Sequence, residues 1–134
     1  MVMNREGKIG IGLLGLGVVG SRVVSVLTER AERLAAQVGL PLTLCGILVK
    51  DLSKTRDGSL PSDLLTTDPE ALLSNPDVDI IVELIGGEHP ALDFLRAAIR
   101  NGKHVVTANK QVMAIHGPEI IRLAEDNMVN LLYE

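Results

Sequence analysis

Short apolar runs rich in β-branched residues alternate along this chain with stretches whose apolar positions recur every three or four residues, the pattern of β–α–β units. "KIGIGLL" (8–14) predicts a first strand. Beyond the glycines that follow, Val19, Val23, Val26, Leu27, Arg30 and Leu34 keep one helical phase, and Gly39 with Pro41 ends that single helix. "LTLCGILV" (42–49) predicts a second strand, and the polar run "KDLSKTRDGSLPSD" (50–63) a surface loop. A short strand is expected around Leu64 to Thr67. Asp68 then caps a short helix with Pro69 in its first position, closed by Asn75-Pro76.

The second half repeats the scheme. "DIIVELI" (79–85) is the clearest strand pattern and runs into Gly86-Gly87. Pro90 opens a helix whose apolar face is Ala91, Leu92, Leu95, Ala98 and Ile99, ending at Asn101-Gly102. "HVVT" (104–107) predicts a fifth strand, residues 110–127 a helix broken at Gly117-Pro118, and "MVNLLYE" (128–134) a last strand.

Composition narrows the class. The 134 residues are 46% hydrophobic yet include one Tyr and one Phe, so Leu, Val, Ile and Ala must fill the core, as suits a parallel sheet buried between helices. A net charge of -4 argues against nucleic-acid and anionic-membrane partners and for a small-molecule one. The single cysteine, Cys45, lies in an apolar run and reads as a plain core thiol in a reducing compartment. No run reaches the roughly 18 apolar residues of a membrane span, and the N-terminus lacks a signal-peptide core, so a cytoplasmic location is expected.

The candidate chemistry sits where strands end. In "GLLGLGVVGSRVV" (12–24), Gly15, Gly17 and Gly20 follow a strand and open a helix. In that context the first glycine allows a tight turn, the second lets backbone approach a pyrophosphate, and the third lets helix and strand pack closely. The helix amides and dipole then form an anion site. At the end of the second strand an acid would take ribose hydroxyls and a cation a 2′-phosphate. Lys50, Lys54 and Arg56 favour NADP, while Asp51 leaves NAD open; an ordinary solvated loop has the same composition.

Glu83 is a carboxylate inside an apolar strand. Burying it unpaired would cost several kcal/mol, so a structural pairing is expected ahead of a catalytic role. Lys110 follows the fifth strand, where a lysine beside a nicotinamide can steer a carbonyl or relay a proton, although taken alone it reads as a solvated lysine at a helix start. His89, His104 and His116 show no metal-ligand spacing and are expected to be structural.

Taken together, "GLLGLGVVGSRVV", "VKDLSKTR", "DVDIIVELIGGEHPA", "NGKHVVTANK" and "NLLYE" resemble the nucleotide-binding domain of homoserine dehydrogenases from about residue 9 to the last residue. The resemblance implies an α/β Rossmann-type fold: a doubly wound, mostly parallel six-stranded sheet of order 3-2-1-4-5-6 in three layers. It also implies NAD(P)-dependent interconversion of aspartate semialdehyde and homoserine, in the pathway to threonine and methionine. By it, Gly15, Leu16, Gly17, Val18, Val19 and Gly20 cradle the pyrophosphate, and Lys50 and Lys54 meet the adenosine ribose or its phosphate. Ile85, Gly86, Gly87, Ala108 and Asn109 line the way to the nicotinamide, with Lys110 as the active-site lysine.

The family continues through a segment beginning like "YEAS" into a second domain that carries substrate-binding acids, another lysine and much of the dimer contact. Residues 1–134 are therefore expected to be the cofactor domain alone, inactive without its partner domain, and the parent a homo-oligomer. Glu134 matches a position that helps hold a monovalent cation in the family. Two alternatives stand beside this reading: the cofactor domain of another amino-acid or semialdehyde dehydrogenase, and a module that senses NAD(P) without turnover.

Overall fold

The structure, a computed structural model, describes residues 7–54, 60 and 62–133. Arg56 and Glu134, both singled out above, lie outside the described residues.

Six strands form one parallel sheet: β1 (Ile9–Leu14), β2 (Leu42–Leu48), β3 (Leu65–Thr66), β4 (Ile80–Glu83), β5 (His104–Thr107) and β6 (Leu131–Tyr133). Their order is β3-β2-β1-β4-β5-β6, the doubly wound order expected. The switch point lies between β1, whose Leu14 pairs with Leu48 of β2, and β4, whose Glu83 pairs with Leu14 from the other side.

Alternation along β1 sends its apolar residues into two cores. Leu13 packs with Val24, Ile47 and Val49 on the face that carries helix α1 (Val18–Glu29). Leu14 faces the other way, into a larger core with Leu72 and Leu73 of α3 (Glu70–Leu73), Leu92, Leu95 and Ile99 of α4 (Ala91–Arg100), and Val112 and Ile120 of α5 (Lys110–Asp126). Helices on both faces make the three layers and explain why the strands read as apolar runs. One register row on the α1 face loses cover outward from the centre: Leu13 is fully buried, Val82 half-buried, Val106 36% exposed and Leu132 64% exposed. Among the described residues no helix is long and apolar enough to cross a membrane.

Two predicted helices differ from the pattern. The single helix expected up to Gly39 is two, α1 and α2 (Ala31–Val38), meeting at Arg30, whose φ of -112° and ψ of 24° turn the axis. Arg30 N still donates to Val26 O and Leu34 N to Arg30 O, so the apolar spacing passes through the bend unchanged and hides it. Conversely, α5 runs unbroken through Gly117-Pro118. Pro118 and Ala114 are both exposed, so the carbonyl that proline leaves without an amide reaches water, while buried Val112, Gly117, Ile120 and Ala124 hold the helix to the sheet.

Candidate functional site

The carboxyl ends of β1, β2 and β4 converge on one cleft. At the end of β1 the chain turns through Gly15, whose φ of 101° suits a residue without a side chain. A Cβ on Gly15 would lie 3.1 Å from the backbone of Leu84, so the turn is pressed against the exit of β4. Gly15 N donates to Leu48 O at 3.0 Å, fastening the same turn to β2. Gly17 is the extended N-cap of α1, with open space around its missing side chain. Gly20 is buried in the first turn of α1, and a Cβ there would sit 2.5 Å from Gly15 O. The three glycines thus have the three geometries their frame demands: a turn, an open approach and a close contact. Val18 and Val19 extend outward at the helix start, 83% and 57% exposed.

Beside this turn lies a cavity of about 470 Å³. Gly15, Leu16 and Gly17 form one wall and Lys50, Asp51 and Lys54 another, with Ile85 and Leu84 from the end of β4. The two lysines and the acid are exposed. Asp51 Oδ1 accepts from Ser53 N at 2.9 Å and Ser53 Oγ at 2.6 Å, so the acid folds its own loop while lining the cavity. Thr67, Pro69, Pro90 and Phe94 also line it. Sequence reasoning did not place these four in the site. Thr67 follows β3 and Pro90 precedes α4, and the rule that ligands gather at the carboxyl ends of strands was the available signal.

The β4–β5 side is built from buried polar groups. Glu83, the last residue of β4, is fully buried, and the expected pairing is made without a cation. Its Oε2 accepts from Ile85 N at 2.9 Å, Gly86 N at 3.1 Å and Asn109 Nδ2 at 3.5 Å, while Thr107 Oγ1 donates to Oε1. Buried Asn109 caps α5 through Oδ1, which accepts from Val112 N at 3.0 Å, and donates Nδ2 to Gly87 O at 2.7 Å. Its own N donates to Thr107 Oγ1 at 3.1 Å. Among the described residues no buried side-chain nitrogen or oxygen lacks a partner.

Gly86 and Gly87 are both exposed with left-handed backbones, and Ala108 and Lys110 are exposed at the start of α5. Gly86, Gly87, Ala108, Asn109 and Lys110 lie outside the cavity lining, on the β4–β5 side of the same end of the sheet. Next to them Glu88 meets His116 Nε2 at 2.8 Å, a contact that holds the Glu88 carboxyl below the usual carboxylate range. Among the described residues no group of three or more His, Cys, Asp or Glu could hold a metal ion. Cys45 is half-buried against the larger core, and burial pushes its thiol up.

Set beside known proteins, residues 15–134 match the profile of the family described as "Homoserine dehydrogenase, NAD binding domain". The homoserine dehydrogenase of Bacillus subtilis is 44% identical over 126 residues, 94% of this chain, and that of Corynebacterium glutamicum 46% identical over the same length. The chain spans only 29% and 28% of those two relatives. Among solved structures, the homoserine dehydrogenase of S. aureus superposes with a TM-score of 0.89 at 42% identity, covering 95% of this chain and 32% of that one. That of Thiobacillus denitrificans gives 0.87 at 41% identity, over 95% of this chain and 29% of its own.

Proposed function

This chain belongs to the homoserine dehydrogenase family through its NAD-binding domain, and from that premise we propose that it holds the nicotinamide cofactor for interconversion of L-aspartate 4-semialdehyde and L-homoserine. The observation that carries the reading is the turn from Gly15 to Gly20, with open space at Gly17 and the α1 amides behind it, at the mouth of the lysine-lined cavity. Gly15, Leu16, Gly17, Val18, Val19 and Gly20 would receive the pyrophosphate. Lys50 and Lys54 would meet the adenosine ribose or its phosphate, which favours NADP over NAD.

When bound, the nicotinamide supplies the hydride chemistry. This chain's part is to bind, orient and place charge. Ile85, Gly86, Gly87, Ala108 and Asn109 form the surface toward the ring. Lys110, exposed at the first turn of α5, would hold charge or a proton beside the reacting carbonyl. The substrate itself needs polar groups on both walls of a cleft, and this chain offers one wall. A second domain of a cytoplasmic, homo-oligomeric parent enzyme would supply the other, with Glu134 near its monovalent cation.

Calorimetry of the 134-residue chain with NADPH and with NADH tests the reading. One site is expected with at least one nucleotide, together with no homoserine oxidation above background. A folded sample giving no heat with either nucleotide would overturn it.

A further inference from the structure

Two loops flank the proposed nicotinamide surface: the turn after β4, residues 85–87, and the link from β5 into α5, residues 108–110. They are far apart in sequence, and each exposes residues, Gly86 and Gly87 in the first and Ala108 and Lys110 in the second, yet both are tied to one side chain. Glu83 Oε2 takes the amides of Ile85 and Gly86, which fixes the first loop. Its Oε1 takes the hydroxyl of Thr107, which in turn receives Asn109 N. Asn109 also reaches back to Glu83 and to Gly87 O, and its Oδ1 starts α5 one residue before Lys110.

A carboxylate can accept about four hydrogen bonds, and here four neutral donors converge on one that is fully buried. Such a group is costly to retain in a core where an apolar residue would pack at least as well. What it does that an apolar residue cannot is bind both loops at once. We propose that Glu83 is a positioning residue, whose buried carboxylate joins the turn after β4 and the start of α5 into one preset unit and thereby sets the base of Lys110. Its value for turnover rests on the nucleotide-binding reading above; the coupling itself belongs to the ligand-free chain.

Amide hydrogen exchange of the ligand-free chain by NMR separates this from a merely structural role. In Glu83→Gln, one carboxylate oxygen becomes an NH₂ group and cannot serve both sides. Exchange should then rise at Ile85 and Gly86, the direct partners. It should also rise about tenfold or more at Val112, whose amide is bonded only through Asn109, as the loss of a charge-assisted bond transmitted to the cap would require. Ile9, whose amide donates to Pro41 O at the far end of β1, serves as the unaffected control. If Glu83→Gln does not fold, Thr107→Val removes only the hydroxyl bridge, and Val112 should again lose protection while Ile9 keeps it. Val112 protected as in the parent chain, in whichever folded variant is examined, would overturn the proposal. Failure of the parent chain to bind nucleotide would overturn the functional reading and leave this coupling standing.

Discussion

On the β1–β2 side of the cleft, Lys50, Asp51 and Lys54 stand exposed on a loop, and what is held firmly is backbone: the turn at Gly15 and the contact of Gly20 with Gly15 O. On the β4–β5 side the backbone tips at Gly86 and Gly87 are exposed, and what is held firmly is side chain: Glu83, Thr107 and Asn109, all buried. One side presents charge from solvent and relies on the absence of Cβ atoms. The other relies on buried polar atoms to set where its loops begin. In the proposed cofactor reading, the first side would meet the phosphate-rich end of a dinucleotide with exposed cations, and the second the reacting end, which needs a fixed geometry.

The comparison breaks first at Gly20. If the β1 side depends on backbone contact, Gly20→Val should cost about 3 kcal/mol, the upper range for overpacking, because its Cβ would meet a carbonyl oxygen rather than a flexible side chain. Urea unfolding should show the lower midpoint, and nucleotide binding should fall with it. A midpoint like that of the parent chain would mean the turn relaxes freely.

It sharpens at the exposed lysines. Replacing Lys50 and Lys54 together by Ala should leave stability within about 0.5 kcal/mol, as for surface positions. NADP affinity should nevertheless fall about tenfold or more, and NAD affinity less, since charge-assisted bonds to a 2′-phosphate would be lost. Equal losses for both nucleotides would reduce the lysines to general steering.

The smallest effect lies at the opposite rim of the sheet. His104 Nδ1 accepts from Asn130 N at 2.9 Å, linking the start of β5 to the approach to β6. Burial holds the His104 imidazole below its ordinary value, with Asp79 acting the other way. The unfolded chain therefore takes up the proton first. The contribution of His104 to stability is complete above about pH 6.5 and declines as pH falls toward the lower folded value. Tm should drop between about pH 7.5 and 5.5, and His104→Gln should flatten that dependence. Glu88 and Glu119, held low by His116 and Arg96, add their own loss only at more acid pH.

The α/β class was legible because apolar strand runs alternate with helical patterns, while the strand order came with the family resemblance, since the polar link from β2 to β3 and the half-covered outer strands do not dictate it. The glycine frame was legible because its constraint is local: a left-handed turn at Gly15 and a close contact five residues later. The bend at Arg30 was hidden because the apolar phase runs through it. Thr67, Pro69 and Phe94 reach the cavity only because β3 pairs with β2 and α4 packs on β4, a fact of assembly that no short window contains. Glu83 announced itself as an oddity, but its partners at Thr107 and Asn109 are 24 and 26 residues away.

Asn109 gives the junction a direction. A carboxamide is a plug with two unlike poles, and here the oxygen pole faces Val112 N while the nitrogen pole faces Gly87 O and Glu83. Aspartate has the same outline and could still cap the helix, yet it would turn an acceptor toward a carbonyl and set a second carboxylate about as close to Glu83 as the amide nitrogen is now, at 3.5 Å. The nearest mimic in shape is thus a poor replacement in charge. Hydrolysis of this one amide would set a second negative charge beside Glu83 at the carboxyl ends of β4 and β5, while hardly changing the outline of the side chain.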